Sequence, residues 1–198
     1  MMALERPSAA LAGGVAVLER AIAYLLGTLA TATPDALARP TPCDHWDLYD
    51  LLDHLDDSLS ALHEAVEVGC VTCEPVDAPP RNAGARIIHR VRDRTARLLG
   101  GWANTGGAPA VRIDGEPLTA PLVAGAGAIE VTVHGWDVAQ AVGRPRPIPP
   151  DLADELLDLS VLLVRGRDRP GRFGRPIAVP ANTPSGDRLV AFLGRQPF

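Results

Sequence analysis

Glu130 and His134 lie four residues apart in a segment, AIEVTVHGWDVA, that is mostly apolar. On a helix this spacing puts both side chains on one face, about a turn apart, where a carboxylate oxygen and an imidazole nitrogen can share one cation. Ile129, Val133 and Val138 surround them. An unpaired carboxylate on such an inward face carries a large desolvation cost, which a divalent metal ion would offset. Zinc sites with catalytic capacity commonly take three protein ligands and leave the fourth position to water or substrate, so another element must supply one more ligand. His54, flanked by Leu51 and Leu55 at the edge of a leucine stripe, is the candidate. Helix bundles build metal sites from facing helices in this way. Asp50, one turn before His54, and Asp137, one turn after His134, are placed to accept the free imidazole N–H and so select the metal-binding tautomer, with Trp136 beside them. The competing reading makes both histidines ordinary half-buried residues and pairs Glu130 with an arginine. Spacing alone does not separate the two, because Glu-x-x-x-His pairs occur on many helices.

These residues need rigid elements to hold them. From Ser8 to about Ala30, Leu11, Val15, Leu18, Ile22, Leu25 and Leu29 recur at helical steps. Prolines in TATPDALARPTPC end that helix. Asp44 is then expected as an N-cap, with Asp47 three residues on as its box-like partner, before the stripe Leu48, Leu51, Leu52, Leu55, Leu59, Leu62 and Val66. Gly69 to Pro80 reads as loop, and a third helix is expected from about Asn82 to Leu99. The piece VRIDGEPL reads as extended or irregular, and Pro121 opens a fourth helix to about Val142. A fifth runs from Asp151 to Val164 and a short last one from Asp187 to Leu193. The expected fold is all-α, a four-helix bundle with an added C-terminal helix and an irregular C-terminal extension. One domain over 1–198 is expected, with 1–145 as bundle core and 146–198 packed on it through Phe173, Ile177 and Val179.

At 198 residues, with 46% hydrophobic and 4% aromatic residues, the chain must build its core from Ala, Leu and Val, which favours helices. All 19 basic residues are arginine, interspersed among 24 acids for a net charge of −5, so no continuous basic field is available for nucleic acid. No apolar run is long enough to span a bilayer and the N-terminus does not read as a secretory signal, so a cytoplasmic protein is expected. The odd set Cys43, Cys70 and Cys73 reads as free thiols, and the Cys70–Cys73 spacing, without a second pair, is not expected to form a site. Arg165, Arg167, Arg169, Arg172 and Arg175 suit a carboxylate ligand, but are read first as a solvated connection. His45, His63 and His89 are expected at surface or helix-flank positions, and Cys43 as a structural junction residue.

The wording around the candidate ligands resembles a known family. TPCDHWDLYDLLDHL is similar to the Thr-Pro-Cys, Trp and Leu-x-x-His-Leu pattern of mycothiol-dependent maleylpyruvate isomerase-like proteins, part of the DinB-like or YfiT-like metalloenzyme superfamily. EVTVHGWDVAQAVG resembles that family's Glu-x-x-x-His-Gly-Trp-Asp-x-Ala motif, and FGRPIAVPANTPSGDRLVAFLGRQP the C-terminal signature of a metal-binding subgroup. The resemblance extends over nearly the whole chain. It implies an up-down-down-up bundle, metal ligands at His54, Glu130 and His134, and a divalent ion, zinc foremost, with nickel or another ion as alternatives. It also implies mycothiol or another low-molecular-weight thiol, activated by the metal for transfer to, or isomerisation of, a small electrophilic substrate. The motifs carry no substrate signature. A non-catalytic metal-dependent binding or sensor protein would show the same three ligands, and a homodimer is compatible with such bundles. A hydrolase would need a general base that no unassigned carboxylate clearly supplies.

Overall fold

A computed structural model describes residues 9–71, 84–101, 110–113, 116–166, 169 and 173–197. The four long helices are α1 (Ala9–Leu29), α2 (Leu48–Glu67), α3 (Gly84–Gly101) and α4 (Ala120–Ala141). Leu18, Ile22, Leu25 and Leu29 of α1 and Leu48, Leu51, Leu52, Leu55 and Leu59 of α2 are fully buried, so both leucine stripes face the core. Burial of one such side chain stabilises the fold by about 1.5–3 kcal/mol before conformational entropy is counted. α1 packs on α4 and α3, α2 packs on α3 and α4, and α1 and α2 stand diagonally.

Side-chain contacts define the helix directions. Gly14 meets Pro121 and Gly135 meets Tyr24, so α1 and α4 run parallel. Leu62 lies on Gly127 and His54 on Glu130, so α2 runs antiparallel to α4. Arg90 binds Asp53 while Arg94 binds Asp56 and Ser60, so α3 runs parallel to α2. The bundle is therefore up-down-down-up, all-α in class. α4 is buried on nearly every side, as expected of the helix at the centre of the packing. Its glycines permit close approach: a Cβ on Gly127 would lie 2.6 Å from Leu62 Cδ2.

The α2 N-cap falls three residues later than expected. Asp44 belongs to a tight turn in which Thr41 N–H donates to the Trp46 carbonyl, Trp46 N–H to the Cys43 carbonyl, and His45 has a positive φ of 68°. The backbone donors there are used by the turn. Asp47 is the cap: its Oδ1 accepts the Asp50 N–H at 2.9 Å, and Asp50 Oδ2 accepts the Asp47 N–H at 3.2 Å. Asp47→Ala is expected to destabilise the protein by about 1 kcal/mol, read as a lower urea midpoint at unchanged slope. An unchanged midpoint would show that the turn alone starts the helix.

The stretch read as loop after Gly69 contributes a strand. β1 (Cys70–Val71) pairs parallel with β2 (Ala110–Ile113), which pairs antiparallel with β3 (Glu116–Thr119). The partners Val71 and Ile113, and Val111 and Leu118, turn one apolar face toward the bundle. Two-residue strands are set by pairing rather than by local pattern, which is why the loop reading failed at Cys70. Asn82 and Cys73 lie outside the described residues.

α5 (Pro150–Leu163) packs on α4 and α1, and α6 (Ser185–Phe192) packs on α5. The extension is tied down by Ile177 N–H to the Ala191 carbonyl. Arg169 is half-buried and tied to the fold: it donates to the Gly174 and Phe192 carbonyls, and its guanidinium lies 4.8 Å from the Phe192 ring centroid. Arg167 and Arg172 lie outside the described residues. No helix among the described residues is long and apolar enough to cross a membrane.

Candidate metal centre

The leucine stripe that seats α2 in the core also directs His54 across to α4. There its Nε2 lies 2.6 Å from Glu130 Oε1. His134, a turn along α4, places its Nε2 3.3 Å from the same oxygen. The three ligand atoms lie within 4.8 Å of one another. Two imidazole nitrogens and one carboxylate oxygen are a donor set suited to zinc, nickel or a similar divalent ion, so the residues fit such a group.

The neighbours hold this set in place. Asp137 Oδ2 lies 2.9 Å from His134 Nδ1, leaving Nε2 to face Glu130, and Ser58 Oγ donates to Glu130 Oε1 at 3.1 Å. Asp137 is fully buried, and in turn accepts from Arg195 Nη2 at 3.0 Å and Nε at 3.4 Å. Arg195 arrives from the segment after α6 and is 7% exposed. Its Nη1 binds the Leu193 carbonyl. A chain Arg195–Asp137–His134 therefore runs from the C-terminal segment to the candidate ligand. Asp50, expected behind His54, places its carboxylate on the Asp47 N–H in the α2 cap. Trp136 is buried in the core, and the indole facing the histidines is Trp46, with ring centroids 4.9 Å from His54 and 6.3 Å from His134.

Electrostatics follow from this packing. Burial pushes the Glu130 carboxyl up, but the His134 charge and hydrogen bonds from His134 and His54 outweigh it and hold the group well below its ordinary value. For His134, burial favours the neutral ring. Glu130, with hydrogen bonds to Asp137, Cys43 and Glu130, reverses that and holds it well above the ordinary histidine value. Asp137 is likewise penalised by burial and held low by its bond to His134 and by Arg195.

A second cluster overlaps the first. Cys43 Sγ lies 3.3 Å from Asp137 Oδ2 and 3.9 Å from His134 Nδ1, so Cys43, His134 and Asp137 also bring three ligand atoms together. Arg195 Nη2, 3.4 Å from the sulfur and 3.0 Å from the Asp137 carboxylate, already supplies positive charge there, and a second cation beside it would be repelled. Cys43→Ala is accordingly expected to keep the metal content of the wild type, whereas His54→Ala loses it. The reverse result by elemental analysis would assign the metal to the cysteine side.

The three residues line a cavity of about 890 Å³. Trp46, Cys43 and Arg195 line it near the histidines, and the side chains beyond them on α2, α4 and the sheet are mostly apolar. Reading the sequence did not place Cys43 or Arg195 at the site. For Cys43 and Trp46 the Thr-Pro-Cys…Trp wording was a signal. Arg195 lies in the C-terminal signature but at no ligand spacing.

The sequence is similar to those of known proteins. The model of the family described as mycothiol maleylpyruvate isomerase N-terminal domain matches residues 18–139, which include all three candidate ligands. Two proteins of Mycobacterium tuberculosis, one from strain CDC 1551 / Oshkosh and one from strain H37Rv, are each 30% identical to the chain over 185 residues. Each match covers 89% of this chain and 94% of the relative, and both relatives are described as uncharacterized proteins. No solved structure matches the chain significantly.

Proposed function

This chain belongs to the mycothiol maleylpyruvate isomerase N-terminal domain family, and from that premise we propose that it is a divalent-metal-dependent enzyme acting with a low-molecular-weight thiol of the mycothiol kind. The thiol would be transferred to a small electrophile, or added to and then released from a double bond so that cis–trans isomerisation occurs. The observation that carries this reading is the convergence of His54, Glu130 and His134 on a cavity large enough for small molecules. These residues would hold the ion, zinc in the first instance. Once bound, it would supply Lewis acidity that lowers the pKa of a thiol and makes a nucleophile available near neutral pH.

The chain's own residues prepare that step. Asp137 orients His134 through Nδ1, and Ser58 orients Glu130 through Oε1. Trp46 covers the histidine pair on one side, and mostly apolar side chains line the cavity beyond it. A cytoplasmic location accompanies this reading, because the thiol must be kept reduced.

The test is elemental analysis of protein purified without added metal or affinity tag, followed by incubation with mycothiol and a panel of electrophiles under mass-spectrometric detection. Near-stoichiometric zinc or nickel together with thiol-dependent product is the expected result. Metal-replete protein that forms no adduct and turns over nothing across the panel would overturn the enzymatic reading.

A further inference from the structure

The cavity's walls bear on which electrophile it accepts, an inference that rests on the function proposed above. On α2 the lining residues after His54 are Ser58, Ala61, Leu62 and Ala65, a single helical stripe. On antiparallel α4 the matching stripe before Glu130 is Val123, Ala126 and Gly127. Val71, Ile113 and Leu118 of the sheet close the far side. From His54 to Ala65 the helix advances roughly 16 Å at its ordinary rise, so the site continues as an elongated apolar slot with the ligands at one end. Small side chains make the room.

Charge is scarce among the described residues of this slot. Among the described lining residues Arg195 is the one cation with a permanent charge, and all three of its nitrogens are engaged, by Asp137, Cys43 and the Leu193 carbonyl. The acids of the lining, Asp44 and Glu130, repel anions. Against the described apolar side chains, a substrate carboxylate placed away from the ligands would lose part of its hydration and gain no cationic partner from them.

We propose that this protein's electrophile is an uncharged molecule with an elongated apolar tail, its reactive carbon at the His54–Glu130–His134 end and its tail along the α2–α4 slot, and not a small dicarboxylate. For a conjugate acceptor, the thiol sulfur forms a bond to the β-carbon and the π-electron pair moves to the α-carbon. That carbon takes the proton given up by the thiol, so no further co-reactant is consumed.

Binding separates this proposal from turnover. Three unreactive probes are titrated calorimetrically into the full-length protein: butan-2-one, decan-2-one, and 9-oxodecanoate, which carries a carboxylate at the far end of the chain. Decan-2-one is expected to bind at least about tenfold more tightly than butan-2-one, because each methylene in an apolar slot strengthens binding roughly two- to fourfold. The terminal carboxylate should cancel that gain. Ala61→Phe and Ala126→Phe, which fill the slot away from the ligands, should each weaken decan-2-one at least about tenfold with metal content unchanged. Equal affinity for the two ketones, a preference for 9-oxodecanoate, or decan-2-one binding unmoved by both folded variants would overturn the proposal. Wild-type titrations alone decide the length and charge comparisons if a variant does not fold. Chain-length-dependent binding without any thiol-dependent turnover would sink the enzymatic reading and leave only the slot's preference for uncharged, long-tailed ligands. Turnover confined to dicarboxylates would do the opposite.

Discussion

His134→Ala is expected to weaken metal binding by more than about 100-fold, because it removes the ligand atom that is most firmly oriented and leaves only His54 and Glu130. The same change reaches into the metal-free fold. His134 is 6% exposed and bonds Asp137 at 2.9 Å, so its loss removes a charge-assisted bond from a fully buried carboxylate. A destabilisation of about 2–3 kcal/mol is expected in addition to the loss of metal. His54→Ala makes the contrasting case. Its side chain is 37% exposed and opens to the cavity, so it should lose metal to a similar degree while costing about 1 kcal/mol or less in the metal-free protein. Competitive titration with a chelator measures the first quantity, and urea denaturation in excess chelator measures the second. Retained stoichiometric metal in folded His134→Ala would remove this residue from the centre.

Asp137→Ala should have the larger effect on stability. Asp137 is the shared partner of His134 and Arg195, and its removal leaves a guanidinium that is 7% exposed without its carboxylate. Breaking a buried pair by deleting one member costs about 3–5 kcal/mol, since the remaining charge stays desolvated. Metal affinity should fall about 10- to 100-fold as well, because the His134 ring loses the group that holds its tautomer and orientation. The double variant Asp137→Ala with Arg195→Leu separates these effects. It should regain a substantial part of the stability, since no uncompensated charge remains buried, but none of the metal affinity. Recovery of both would mean that Asp137 acts on the ligand only through the integrity of the fold. A single variant as stable as wild type would show that the Arg195–Asp137 pair is not desolvated in solution.

Much of the fold is legible in the sequence, for a local reason. The leucines of α1 and α2 recur at three- and four-residue steps, and the same residues are the ones fully buried. Glu130 and His134 share a face because four residues make about one helical turn, whatever packs around them. The leucine stripe offers His54 as the third ligand, and the family wording points to the same residue and adds the up-down-down-up arrangement. The N-cap of α2 was missed by three residues because Asp44 and Asp47 both have capping chemistry. Only the hydrogen bonds of the Thr41–Trp46 turn decide between them.

What the amino-acid order determined by itself was therefore the periodic part: the long helices, the glutamate–histidine pair on α4, and the apolar stripes that bury them. Tertiary structure decided the rest. Cys43 and Arg195 meet at Asp137 from positions 94 and 58 residues away, β1 exists only by pairing with β2, and the cavity opens where Ala61 and Gly127 line two antiparallel helices. Such contacts leave no periodic trace, because helical repetition fixes which residues of one helix share a face. Which distant side chain neutralises a buried charge depends on how the elements pack in three dimensions.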